Sequence, residues 1–219
     1  MTAINTHAGD NARREAICEI AGSLFNRGYT HGSTGNISLR TDHGFLMTPT
    51  GSSLGRLDPN ELSLLDNGGT LISGPKPTKE SFLHLAMYDE RPQSHAVIHL
   101  HATHSTAVSI LQDVNPTDVL PALTAYYIMR VGRLPLIPYF APGDLALAEA
   151  VRAQAGRHHA VLLANHGPVV AGTSLDAATD AIEELEATAR LHLLLHGQRC
   201  RCLTPEQVAA LRSPPAAST

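Results

Sequence analysis

The sequence predicts one layered domain, α/β or α+β, with a central sheet covered by helices. Three observations carry this. Segments of helical apolar spacing separate some strand-like runs, while other runs sit side by side as hairpins. A chain of 219 residues suits one domain with a sizeable core. No internal repeat and no linker-like stretch divides it.

The first nine residues and the closing SPPAAST (213–219) read as loose ends, which leaves a domain over residues 10–212. DNARREAICEIAGSLFNRG has Ala12, Ala16, Ile17, Ile20, Ala21, Leu24 and Phe25 on one helical stripe. Asp10 or Asn11 would cap that helix and Gly28 would close it. GNISLR and GFLMTPTG form a hairpin around Asp42 to Gly44. KESFLHLAMYDERP is a helix stopped before Pro92, and HAVIHLH is a strand. STAVSILQ begins a helix with Ser105 as its cap, and DLALAEAVRAQAG is a helix closed by Gly156. AVLLANHGPVVAG reads as strand, tight turn at Asn165-His166-Gly167, and strand. SLDAATDAIEELEATARLHLLLHG is the longest helix, capped by Ser174. TPEQVAALR opens on a capping box, with Thr204, Pro205 at the first helical position and Gln207.

Composition removes several function classes. Hydrophobic residues are 43% and charged residues 16%, the balance of a folded chain. A net charge of −4 without a clustered basic run gives nucleic acid no footprint. No apolar run approaches the roughly 20 residues of a membrane span. The N-terminus lacks a basic stretch followed by an apolar one, so no secretory signal is expected. Cys18, Cys200 and Cys202 read as reduced thiols of a cytoplasmic protein, and Cys200-x-Cys202 alone is a weak metal motif.

Thirteen histidines bring metal or proton chemistry forward. AVIHLHATHSTAV places His99, His101 and His104 in an apolar run. On a strand, His99 and His101 would share a face, and burying two unpartnered rings is costly, so a shared metal is the better reading. His104 starts the next element and suits a ligand, supporting or substrate role. His166, at a turn after an apolar strand, is a candidate third ligand or a plain turn histidine. His84, His95, His158, His159, His192 and His196 fall on helices or their ends and read as surface or packing residues. Glu80 sits where a helix N-terminus favours an anion, although an ordinary first-turn glutamate fits there too. HGSTGNIS (31–38) and TPTGSSLG (48–55) offer backbone N–H groups and hydroxyls to a phosphate, or are simple turns. Neither is a P-loop or dinucleotide fingerprint.

The pieces STGNIS, TPTGSS, PTKE, VIHLHATHSTAVS, LPALTAYY and LLANHGPVV occur in that order over about residues 10–200. As a set they resemble the class II aldolase/adducin-like family, whose sugar-phosphate aldolases and epimerases use zinc. The resemblance implies a central, mostly antiparallel sheet flanked by helices. It implies one Zn2+ per subunit, or another divalent ion, on His99, His101 and His166, with Glu80 as a movable fourth ligand and the acid/base. Gly35, Asn36, Thr50 and Gly51 would cradle a phosphate, with Thr78 and Lys79 close by. A homotetramer with interfacial sites is implied, in which Tyr126 or Tyr127 of a neighbouring subunit acts catalytically. HGSTGNISLR, TPTGSSLGRLDP, YYIMRVGRLPLIPY and AGRHHAVLLANHGPVVAG are most similar to the family's 3-oxo-tetronate 4-phosphate decarboxylases. That branch implies a phosphorylated sugar acid as substrate, with Lys79 or Arg130 as candidates to orient its carboxylate. The alternatives are a fuculose-phosphate-type zinc aldolase or epimerase, and a non-catalytic adducin-like domain that would have lost the ligands or the acid.

Overall fold

The computed structural model describes residues 6–141 and 143–212. Of the loose ends expected at residues 1–9 and 213–219, residues 1–5 and 213–219 lie outside the described residues, whereas residues 6–9 belong to the first helix. One eight-stranded sheet organises the chain. Its strands are β1 (Asn36–Thr41), β2 (Gly44–Met47), β3 (Ser63–Leu65), β4 (Leu71–Ser73), β5 (Ala96–His99), β6 (Leu136–Ile137), β7 (Ala160–Leu163) and β8 (Gly167–Gly172). The order is β4-β3-β2-β1-β5-β8-β7-β6, and only the β6–β7 pair is parallel. The mostly antiparallel sheet is therefore as expected.

Alternation along the strands builds a core on each face. Ile37, Leu39, Ile98, Leu162 and Val170 bury against α1 (Thr6–Asn26), α3 (Thr103–Ile110), α4 (Ala125–Arg130) and α6 (Leu175–Leu194). Val97, Val161, Leu163, Val169 and Ala171 bury against α2 (Ser81–Glu90) and α5 (Ala146–Ala155). β5 lies in the middle, paired with β1 and β8. Asn36 faces His99 across one pair and Val169 faces His99 across the other.

Several boundaries differ from the sequence reading. α1 begins at Thr6, ahead of the expected cap, and Asp10 lies inside it, its carboxylate accepting from Arg13 one turn on at 3.1 Å. The strand of HAVIHLH ends at His99, and His101 lies just past it on the path into α3. Ser105 does not cap α3. The buried Glu186 of α6 does, accepting from the backbone N–H groups of His104 and Ser105, each at 2.8 Å. This is an N-cap supplied by a distant helix, satisfying donors that the local sequence leaves orphaned. Strands β3, β4 and β6 and the short helix α4 were not anticipated; runs of two to six residues carry too little periodicity. Ser174 caps α6 through Ala177 at 3.0 Å, and Thr204 with Gln207 forms the capping box of α7 (Pro205–Arg212).

Glu186→Ala strips α3 of this cap and leaves the part-buried His104 and buried Ser105 N–H groups without this partner. It is expected to destabilise the fold by about 2–3 kcal/mol, read as a lower urea midpoint at unchanged slope.

Candidate metal centre and active site

The register of β5 against its neighbours assembles the site. His99 ends β5 on the sheet face covered by α2, fully buried. Its Nδ1–H donates to the Pro168 carbonyl at 2.9 Å, which leaves Nε2 as a bare lone pair. His166 reaches that lone pair from the β7–β8 turn. Gly167 makes this possible, because a Cβ there would stand 2.1 Å from the Leu100 carbonyl oxygen. Asn165 takes a left-handed φ of 58°, which asparagine tolerates. Two groups of α3 pin the turn: the Thr106 hydroxyl donates to the His166 carbonyl at 2.9 Å, and the Asn165 N–H donates to Ser109 Oγ at 3.1 Å.

The three Nε2 atoms converge. His166 Nε2 lies 3.3 Å from that of His99 and 3.0 Å from that of His101. Glu80 points its carboxylate into the same space, Oε1 at 3.1 Å from His166 and Oε2 at 3.5 Å from His99. The four ligand atoms all lie within 4.8 Å of one another. Two ligands held about 2.0–2.1 Å from a tetrahedral ion stand roughly 3.3 Å apart, so the set fits a divalent cation. With neutral rings, lone pairs and a carboxylate face one another with too few protons to share, and a cation resolves this. Burial pushes the His101 pKa down to about 3, helped by the neighbouring His99 and His166. Burial opposes ionisation of Glu80, but His99, His166 and the Asn36 amide outweigh it and hold the carboxyl well below the usual range.

Glu80 is the residue preceding α2, and its side chain makes no capping bond. It turns instead to Asn36, whose Nδ2–H donates to Oε2 at 2.8 Å. Around this centre lies a cavity of about 570 Å³. Gly35, Asn36, Thr50, Gly51, Thr78 and Lys79 all line it, together with Glu80, His101 and His166. Both glycine-rich loops thus line one cavity, and the 48–51 stretch is tied to the segment carrying Thr78 by Thr50 N–H to the Lys76 carbonyl at 3.0 Å and Thr78 N–H to that of Thr48 at 3.1 Å. Gly35 has φ 80° and packs so closely that a Cβ would meet the His99 carbonyl at 3.0 Å. Only glycine brings the 31–36 loop this near the histidine strand.

Other candidates fall elsewhere. Tyr127 is buried in the core with its hydroxyl unpaired among the described residues. Tyr126 is 63% exposed and lines a different surface cleft with Arg130, which pairs with Asp180. Neither tyrosine borders the histidine cluster of its own chain, and Arg130 does not either. Lys79 is the only lysine or arginine among the described lining residues. His104 bonds Glu186 at 2.7 Å and is not among the clustered ligands. The sequence reading missed Tyr139 and Phe140, which line the cavity just beyond β6. It also missed His84, which is fully buried beside Asn36.

A family model described as the class II aldolase and adducin N-terminal domain matches residues 15–193. The chain belongs to the class II aldolase and adducin family. A 3-oxo-tetronate 4-phosphate decarboxylase of Haemophilus influenzae is 46% identical over 205 residues, covering 93% of this chain and 98% of that one. The L-fuculose phosphate aldolase of Escherichia coli is 35% identical over 185 residues, covering 84% of this chain and 83% of that one. The crystal structure of Escherichia coli YgbL superposes with a TM-score of 0.91 at 46% identity, covering 93% of this chain and 99% of that one. This class II aldolase-family chain keeps all four candidate ligand groups in one cluster.

Replacing His99, His101 or His166 singly by alanine is expected to abolish binding of one divalent ion per chain in equilibrium dialysis. The loss should exceed the 10–100-fold typical of groups that only support a ligand. A second expectation concerns acid. His84 and His101 both have native pKa values lowered to about 3 from 6.5, His84 through burial first and then His99. The unfolded chain therefore takes up protons near pH 6.5 that the native one refuses until about pH 3. Stability of the metal-free protein should fall as pH drops through that window, seen as a falling urea midpoint.

Proposed function

We propose that this chain is a divalent-metal-dependent decarboxylase of 3-oxo-tetronate 4-phosphate, releasing CO2 and dihydroxyacetone phosphate. The observation that carries the reading is the meeting of His99, His101, His166 and Glu80 with both glycine-rich loops and Lys79 around one cavity. The decarboxylase relatives at 45–48% identity support the branch.

The chemistry suits such a site. The substrate is a β-keto acid with a 2-hydroxyl and a 4-phosphate. The C1–C2 bond breaks and its electron pair becomes the π bond of C2=C3, while the π pair of the C3 carbonyl moves onto the C3 oxygen. CO2 leaves, and a proton then arrives at C2. A divalent ion, with zinc favoured by three imidazoles and a carboxylate, supplies Lewis-acid stabilisation of the developing oxyanion.

The chain's own groups do the rest. Glu80 holds or delivers the proton at the C2 end, within reach of the cavity. Gly35, Asn36, Thr50, Gly51 and Thr78 surround the phosphate with backbone N–H groups and hydroxyls, fixing the C1–C2 bond over the site. Lys79 meets the substrate's anionic groups. It sits on the exposed rim, which suits a reaction that must not hold the departing carboxylate too firmly, because that charge is lost in the transition state. Arg130 is set aside as a carboxylate partner because Asp180 already engages it. We further propose a cytoplasmic homotetramer with interfacial sites. Tyr126, exposed on α4, is the tyrosine one subunit can present to the next.

A coupled assay following dihydroxyacetone phosphate and CO2 from 3-oxo-tetronate 4-phosphate tests the proposal. Metal-loaded wild type should yield both products and His99→Ala neither. Cleavage of fuculose 1-phosphate by a metal-replete protein inert to the keto acid would favour the aldolase reading instead. Lys79→Met is expected to lower kcat/KM by about tenfold or more, roughly 1.4 kcal/mol, chiefly through KM.

A further inference from the structure

A buried chain of hydrogen bonds runs from the core to Glu80. His84 and Tyr88 lie four residues apart on one face of α2, and Glu80, the residue preceding the helix, stands four residues before His84. That face meets Asn36 and Ser38, which share a face of β1. Tyr88 Oη lies 3.1 Å from the Ser38 carbonyl and 2.9 Å from Ser38 Oγ. Ser38 Oγ lies 2.7 Å from His84 Nδ1, and His84 Nε2 lies 2.5 Å from Asn36 Oδ1. Asn36 Nδ2 lies 2.8 Å from Glu80 Oε2. Ser38, His84, Tyr88 and Asn36 are all buried.

The donor roles in this chain are not interchangeable. A carboxylate only accepts, so Asn36 must turn its Nδ2–H toward Glu80. That leaves Asn36 Oδ1 for the imidazole, so His84 Nε2 must carry the hydrogen. In a neutral ring Nδ1 then accepts, and Ser38 O–H supplies that bond. Tyr88 O–H is left to donate to the oxygens of Ser38. Every donor points one way, toward Glu80. The opposite tautomer would turn the Asn36 carbonyl against the carboxylate.

We infer that His84 is a positioning residue for the reaction: its Nε2–H tautomer fixes the Asn36 amide so that it offers an N–H, not a carbonyl, to Glu80. The inference builds on the reading of Glu80 as the acid/base. Without His84 the amide is free to turn over, and Glu80 loses its fixed donor.

Two measurements on the whole protein test this. The first is the nitrogen NMR spectrum of 15N-histidine-labelled wild type, with the His84 signals identified by their loss in His84→Phe. A hydrogen-bearing Nε2 and a bare Nδ1 are expected, and the reverse would overturn the inference. The second is a double-mutant cycle on decarboxylation. His84→Phe is expected to lower kcat roughly 10–100-fold with KM within about threefold and the metal retained. His84→Gln carries an N–H at a similar reach and should restore kcat to within about threefold of wild type. In an Asn36→Ala background, His84→Phe should cost nothing more, since there is no amide left to orient. Multiplying losses, or an inactive His84→Gln that is folded and metal-loaded, would show a merely structural histidine. A wild type without turnover would refute the decarboxylase reading, and the tautomer alone would then decide the inference.

Discussion

Three imidazole lone pairs and one carboxylate are driven together by strand register, and the rest of the site is arranged around that crowding. β5 is held between β1 and β8, so His99 cannot move along or across the sheet without breaking two ladders. Its ring is locked by the Pro168 carbonyl on β8. The same strand β8 begins directly after the turn that carries His166. The distance between the two histidines is thus fixed by one antiparallel pair. Three imidazole nitrogens and a carboxylate, with neighbouring atoms 3.0–3.5 Å apart, form a donor set that suits a shared cation.

The sheet also divides labour between its faces. The face under α1, α3, α4 and α6 holds a largely aliphatic core. The face under α2 is where β1 presents Asn36 and Ser38, and where Arg40 lies over the rings of Phe45 and Tyr88 at 5.1 and 4.7 Å. The buried Asn36, Ser38, His84 and Tyr88 are tolerable there because each finds a partner. A network that begins at the core hydroxyl of Tyr88 and ends at Glu80 gives a solvent-facing cavity a rigid inner wall.

Helix α6 has a less obvious part. Glu186 reaches from it to cap α3, and α3 in turn holds the His166 turn through Thr106 and Ser109. His101 and His104 lie at the entrance to this helix. A carboxylate far from the chemistry therefore helps to set the angle at which the chain leaves β5 toward α3.

Local pattern alone was enough for the long helices, the two hairpins around Asp42 and Asn165, the caps at Ser174 and Thr204, and the H-x-H motif. Each is written in neighbouring residues, through turn chemistry, capping or period. Motif order over most of the chain was enough to identify the family and to nominate Glu80 and His166. What only the tertiary structure decided is how distant residues meet. It ended β5 at His99, moved the α3 cap from Ser105 to Glu186, and buried Tyr127 while exposing Tyr126. It left Lys79 at the cavity and paired Arg130 with Asp180 elsewhere. It also turned His84 from a helix residue into the partner of Asn36. The spacing Glu80, His84, Tyr88 beside Asn36, Ser38 was present in the sequence all along. Its meaning depends on α2 lying across β1, a long-range packing that no local period encodes.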